Sequence, residues 1–166
     1  MITPNMSDFA RELLAIVEAT EPRLRGISAA HAALRPAPDR WSAKEVLGHL
    51  VDSAANNHRR FVEAQLQADL VFSGYEQEQW VRLQHYHDAA WLELITLWAA
   101  YNRHLAHVVA SIPDEQLLRP RHPHTLDRIA WQTVDRNTPV TLDDLIRDYL
   151  EHLQDHLKQI FALVGA

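Results

Sequence analysis

The stretch that decides the fold is W-L-E-L-I-T-L-W-A-A-Y-N-R-H-L-A-H-V-V-A-S-I, residues 91–112. Its large apolar residues recur at alternating steps of three and four: Trp91, Leu94, Trp98, Tyr101, Leu105, Val108 and Ile112. This spacing lies along one face of an α-helix, which turns once every 3.6 residues. Pro113 follows, and proline cannot continue a helix because it lacks the backbone donor. We therefore predict a helix over residues 88–111, the third of four.

Capping boxes mark the start of two further helices. Ser42 and Glu45 form an S-x-x-E box at the start of the second predicted helix, which should continue to about residue 68. Thr141 and Asp144 occupy the equivalent positions at the start of the fourth. In such a box each side chain accepts a hydrogen bond from the other residue's backbone N–H, so the start of a helix can be read from local sequence.

The remaining segments complete an all-α domain. A first helix is predicted from Ser7, as N-cap, to about residue 20, with Pro22 beyond its end. Long connections separate the later helices at residues 69–87 and 113–139, and the second of these should hold a short helix. The economical architecture is one four-helix-bundle domain over residues 1–166, with long crossover connections.

Composition excludes several classes of function. The chain has 166 residues, a formal net charge of −6 and no cysteine. An acidic protein is a poor partner for nucleic acid or for an anionic membrane surface, and the absence of cysteine removes thiolate ligands and a cysteine nucleophile. No signal peptide or membrane-spanning run is evident, so we expect a cytoplasmic protein that acts on a small molecule.

His152 and His156 are the first candidates for a functional site. They lie four residues apart within the apolar seam of the fourth helix, so both imidazoles can converge on one metal ion. With 11 histidines in the chain, roughly 0.7 such pairs arise by chance, so the spacing alone has a high false-positive risk. Their position in the seam favours a metal site over scattered surface histidines.

His49 is the best candidate for a third ligand, because it lies between Val46 and Leu50 on the capped second helix. The alternative is a histidine at the edge of the core that hydrogen-bonds to Asp52. Three imidazoles leave one coordination position open, as in catalytic sites, and they suit zinc, nickel, copper or iron. Asp52 is a candidate second-shell acceptor or base, or an ordinary helix charge. His58 and the histidines of the connections are expected in solvent.

Aromatic residues of the first long connection are candidates for a substrate pocket. Trp80 and Tyr86, together with Trp98 of the third helix, are predicted to hold a substrate or cofactor. Connections of this length serve as lids or pocket walls, or pack over the end of a bundle, and the sequence leaves both readings open.

Residues 40–52, R-W-S-A-K-E-V-L-G-H-L-V-D, followed by residues 149–156, Y-L-E-H-L-Q-D-H, resemble the DinB-like superfamily. The resemblance extends over nearly the whole chain and includes F-S-G-Y-E-Q-E-Q-W-V and L-W-A-A-Y-N. It implies a four-helix bundle in an up-up-down-down arrangement, which often forms a homodimer. It also implies a divalent metal, such as zinc, nickel or iron, held by His49, His152 and His156.

Relatives in this superfamily include transferases that use low-molecular-weight thiols, thiol-dependent isomerases and metal-dependent hydrolases. The leading expectation is therefore an enzyme that transfers a small thiol co-substrate to an electrophile. The alternatives are hydrolysis of an amide or ester at the same site, with Asp52 or Tyr149 assisting, and a bundle without enzymatic function that binds a ligand or partner.

Overall fold

The computed structural model describes residues 6–165, which form four long helices joined by connections that carry short helices. The long helices are α1 (Met6–Arg25), α3 (Ala43–Glu63), α5 (Trp91–Ala110) and α8 (Leu142–Leu163). The short ones are α2 (Ala29–Ala32), α4 (Gln77–Leu83), α6 (Asp114–Leu118) and α7 (Leu126–Ile129), with a 3₁₀ turn at Tyr86–Asp88. No β-strand and no helix long and apolar enough to cross a membrane occurs in the described part of the chain.

Both predicted capping boxes are confirmed. The Ser42 and Thr141 side chains accept hydrogen bonds from the backbone N–H of Glu45 and Asp144, whose carboxylates accept from the cap N–H groups in return. Helix α3 ends at residue 63, five residues before the expected end, and α8 begins where predicted.

The end of α1 differs from the prediction. This helix continues through Pro22 to residue 25, because Leu24 is fully buried and Arg25 donates hydrogen bonds to Glu21 and to Thr96 of α5. Tertiary contacts of the last turn therefore outweigh the break expected at proline. The helix begins at residue 6, and the proposed capping side chain of Ser7 lies outside the side chains that are described.

Side-chain contacts establish the direction of each long helix. Glu21 and Arg25 of α1 contact Arg103 and Thr96 of α5, so those two helices are antiparallel. Helices α3 and α8 are also antiparallel, since residue 49 of α3 meets residue 156 whereas residue 61 meets residue 149.

Helices α3 and α5 run in the same direction. Asp52 and Leu94 line one cavity, and His58, further along α3, contacts Tyr101, further along α5. The four-helix bundle is as predicted, but its order is up-down-down-up rather than the expected up-up-down-down. The physical reason is the connection from residue 64 to residue 90, which is long enough to return along the length of α3 before α5 begins.

Candidate metal centre

Three histidines of α3 and α8 meet in the bundle and are called here the histidine cluster: His49, His152 and His156. His49 lies two turns after the cap of α3, and antiparallel packing brings it beside one face of α8. Its Nε2 atom is 3.0 Å from His152 Nε2, and its ring centroid is 4.9 Å from that of His156. One ligand atom from each side chain lies within 4.8 Å of the others. The three candidate ligands are therefore brought together.

Burial keeps these imidazoles neutral. His49 is fully buried and His152 is 8% exposed. Burial, followed by the charge of His156, lowers the pKa of His49 to about 4. Burial and the neighbouring imidazoles lower the pKa of His152 to about 3, and burial also lowers the pKa of His156. Neutral imidazole is the form that binds metals, so the cluster is in its ligand state at neutral pH.

Hydrogen bonds orient two of the rings. Gln159 Oε1 lies 2.8 Å from His156 Nδ1, and Ser53 Oγ lies 3.4 Å from His152 Nδ1. An amide oxygen can only accept, so the proton of His156 is held on Nδ1 and its Nε2 lone pair is free. A partner on the second ring nitrogen is the usual support of a metal-binding histidine.

The cluster fits a divalent metal. A tetrahedral site with metal–nitrogen bonds of about 2.0–2.1 Å places its ligand nitrogens roughly 3.3 Å apart, within the spread of distances in the cluster. Two neutral ring nitrogens at 3.0 Å require a proton or a cation between them. His49 Nδ1 is buried and has no hydrogen-bond partner among the described residues, so the pairing of this ring rests on its Nε2 atom, which faces His152.

Two tryptophans that the sequence analysis did not select flank the cluster. The ring centroid of Trp41 is 5.3 Å from that of His49, and Trp131 lies 5.3 Å from His152 and 5.5 Å from His156. Trp41 is the residue before the cap of α3, and Trp131 follows Ala130, the C-cap of α7. Each is an aromatic residue in an otherwise polar connection, and this is the sequence feature that could have identified it.

The aromatic residues predicted to line the pocket lie elsewhere. Trp98 is fully buried in the core, with no hydrogen-bond partner for Nε1 among the described residues. Trp80 is 38% exposed, and it lines a cavity of about 490 Å³ together with Tyr86. None of the three makes a ring contact with the histidine cluster within the described residues, so their binding roles stay predictions.

Asp52 and Tyr149 each form a buried hydrogen bond with a residue outside the histidine cluster. Asp52 Oδ1 accepts from the Tyr86 hydroxyl and from Gln84 Nε2, both at 2.7 Å, and burial raises the pKa of this carboxyl despite both bonds. The Tyr149 hydroxyl donates to Asn102 Oδ1 at 2.5 Å, and burial raises its pKa. Their catalytic roles also stay predictions.

His124 and His58 are both less exposed than expected. His124 is 5% exposed, and its Nε2 lies 2.9 Å from the carbonyl oxygen of Thr138, so it joins two parts of the second long connection. His58 is half-buried, with Nδ1 3.2 Å from the Tyr101 hydroxyl. Neither belongs to the histidine cluster.

Comparisons with known proteins agree with the fold. The family model described as the DinB superfamily matches residues 12–160. A solved structure of YfiT from Bacillus subtilis, described as a probable metal-dependent hydrolase with an unusual four-helix bundle topology, has a similar fold. The TM-score is 0.76 and the identity 19%, over 98% of this chain and 88% of that one. No curated protein matches the chain.

Proposed function

We propose, from the premise that the chain belongs to the DinB superfamily, that it is an enzyme whose histidine cluster holds a divalent metal ion. The observation that carries the proposal is the convergence of three neutral imidazoles in the bundle, with no carboxylate in the group among the described residues. Such a ligand set satisfies three coordination positions and leaves one for a small molecule. It is the arrangement of a catalytic site rather than a structural one.

A divalent metal in the cluster would lower the pKa of a coordinated thiol or water and so supply a nucleophile at neutral pH. The chain's own residues prepare the site for it. Gln159 and Ser53 hold two imidazoles in place, and the rings of Trp41 and Trp131 contact the histidine rings. Aromatic walls of this kind exclude water and offer a surface for an apolar electrophile.

Thiol transfer is the reaction that we favour. The thiolate sulfur forms a bond to the electrophilic carbon as the bond from that carbon to its leaving group breaks, and the leaving group departs with that electron pair. The thiol proton is lost to solvent, so the reaction needs no protein base once the thiol is ionised. Tyr149 and one oxygen of Asp52 are engaged in hydrogen bonds with Asn102 and Tyr86, whereas Asp52 Oδ2 has no partner among the described residues. The chain contains no cysteine, so the thiol would come from a small co-substrate.

Hydrolysis of an amide or ester is the second candidate, and one contact favours it. Asp155 Oδ2 lies 3.2 Å from Trp131 Nε1, which places a carboxylate beside a ring that covers the cluster. A carboxylate in that position could act as a base toward water. The likeness to YfiT, described as a probable metal-dependent hydrolase, points in the same direction.

The test uses tag-free protein loaded in turn with zinc, nickel or iron(II). Each preparation is assayed with glutathione, bacillithiol and mycothiol against a fluorogenic electrophile, and with ester and amide substrates without thiol. The variants are His49→Ala and, as the matched control on the same helix, His58→Ala. We expect conjugation that needs metal and thiol, is lost in His49→Ala and persists in the control.

Turnover of esters or amides without thiol would support hydrolysis instead of thiol transfer as the activity. If metal-loaded protein catalyses neither reaction, the enzymatic proposal is refuted and a binding role replaces it.

A further inference from the structure

Arg60 of α3 is a buried cation without an ion-pair partner. The side chain is 7% exposed, and no carboxylate lies within 4 Å of its guanidinium among the described residues. Among the described residues, its guanidinium makes one short hydrogen bond, from Nη2 to the carbonyl oxygen of Ser73 at 2.9 Å; the contact from Nη1 to Asn57 Oδ1 is 3.5 Å. The adjacent Arg59 differs, since it is exposed and paired with Glu63 at 2.7 Å.

A buried charge is unfavourable unless opposite charges and hydrogen bonds replace the lost water. The Asp148 carboxylate attracts the guanidinium, but no hydrogen bond joins the two among the described residues, so donors of Arg60 stay open to a ligand. A guanidinium has five N–H donors in a planar fork, and Arg60 commits few of them. Such an arrangement is expected where a ligand supplies the missing anion.

A small polar cavity connects this cation to the histidine cluster. It has a volume of about 130 Å³, and both Arg60 and His152 line it. Ser53, Asn57 and Tyr75 contribute further polar atoms to its wall. The volume corresponds to roughly four water molecules, enough for one carboxylate and a short carbon segment.

We propose that this cavity binds a carboxylate group of the substrate through Arg60, next to the reacting bond at the histidine cluster. The identification of the ligand as a substrate rests on the proposed function; the anion site itself does not. One guanidinium matches one negative charge. Asp148 lies in the same wall, is held by the backbone N–H groups of Trp131 and Gln132, and already offsets part of the charge of Arg60. It repels a doubly charged phosphate more than a singly charged carboxylate, so the carboxylate is the favoured ligand.

The competing explanation is structural. In that case the hydrogen bond from Arg60 to Ser73 would only hold the following connection against α3. The two explanations differ in whether an added anion reaches the guanidinium. They also differ for Asn57→Asp, which places a carboxylate at the atom now 3.5 Å from Nη1. The introduced carboxylate should hydrogen-bond to the Arg60 guanidinium and compete with an external carboxylate. The contact with Ser73 should stay in place.

The experiment follows the Arg60 Nε–Hε resonance of the full-length protein by NMR during titration with sodium acetate, and with acetamide as the neutral control. It is performed on zinc-treated and on chelator-treated protein. Arg60→Gln identifies the resonance and supplies the loss variant, and Arg59→Gln is the matched control. Thermal unfolding of each variant reports whether it is folded.

We expect saturable binding of acetate and none of acetamide. Loss of charged hydrogen bonds to the guanidinium should weaken acetate binding about 10- to 150-fold in Arg60→Gln, and Asn57→Asp should weaken it similarly. Arg59→Gln should change it by less than about twofold. An Arg60 resonance that acetate does not move, or acetate binding unchanged in Asn57→Asp, overturns the proposal. Because the chelated protein is included, failure of metal binding leaves this result interpretable.

Discussion

Gly48 lies one residue before the first histidine of the cluster, and its missing side chain makes room for Tyr86. A Cβ atom at this position would lie 2.2 Å from Tyr86 Cγ and 2.3 Å from Cδ2. The Tyr86 ring is buried, and its hydroxyl donates to Asp52, so the ring cannot move aside without breaking that hydrogen bond. Gly48→Ala should therefore expel or displace the ring.

Two effects oppose each other in this variant. Alanine favours the helix interior over glycine by about 0.8–1.0 kcal/mol. Displacing a buried aromatic ring costs about 3–5 kcal/mol, by comparison with its removal. The net expectation is a loss of about 2–4 kcal/mol in the free energy of unfolding, which lowers Tm by about 5–15 °C in a chain of this size.

A double-mutant cycle separates the two effects. In a Tyr86→Ala background the clash is absent, so Gly48→Ala should raise stability by about 1 kcal/mol, the opposite sign to its effect in the wild type. Urea unfolding of the four proteins provides the measurement. The reasoning fails if Gly48→Ala stabilises the wild-type protein, or if it has the same effect in both backgrounds.

Three further predictions follow from single contacts. Ser53→Ala removes the hydroxyl beside the His152 ring and should weaken zinc affinity about tenfold in a chelator competition; unchanged affinity would show that this contact does not orient the ring. Tyr149→Phe leaves the Asn102 amide oxygen without its donor and should cost about 1–3 kcal/mol in urea unfolding, whereas an unchanged midpoint would contradict a buried hydrogen bond. Burial raises the pKa of Glu45, but hydrogen bonds from Arg35 and the helix cap outweigh burial and hold it below its ordinary value of 4.5. The stability that this carboxylate contributes is therefore full above pH 4.5 and is lost as the pH falls through the lower pKa of the folded state. Glu45→Gln should lose about 1 kcal/mol at pH 7 and progressively less below pH 4.5, and a difference independent of pH would contradict the assignment.

The parts of the fold that could be predicted are those encoded within a few residues. Ser42 with Glu45, and Thr141 with Asp144, mark helix starts because both members of each hydrogen bond lie within one turn. The histidine cluster could be predicted equally well, since its members lie on regular helices at positions that face the bundle.

Features that depend on packing between residues far apart in the sequence could not be predicted. Helix α1 continues past Pro22 because its last turn contacts α5, some seventy residues later in the chain. The direction of α5 depends on the path of a long connection, and length alone permits either direction. Trp131 reaches the cluster because its backbone N–H donates to Asp148 of α8, a contact that no local pattern contains.

Metal stoichiometry of tag-free protein tests the central claim most directly. After equilibrium dialysis against zinc, the wild type and His58→Ala should bind about one zinc per chain. His152→Ala and His156→Ala should each lose affinity by more than the roughly 100-fold that a supporting hydrogen bond contributes. Wild-type protein that binds no zinc, nickel or iron, or bound metal that persists unchanged in His152→Ala, would contradict the assignment of His49, His152 and His156 as the metal ligands.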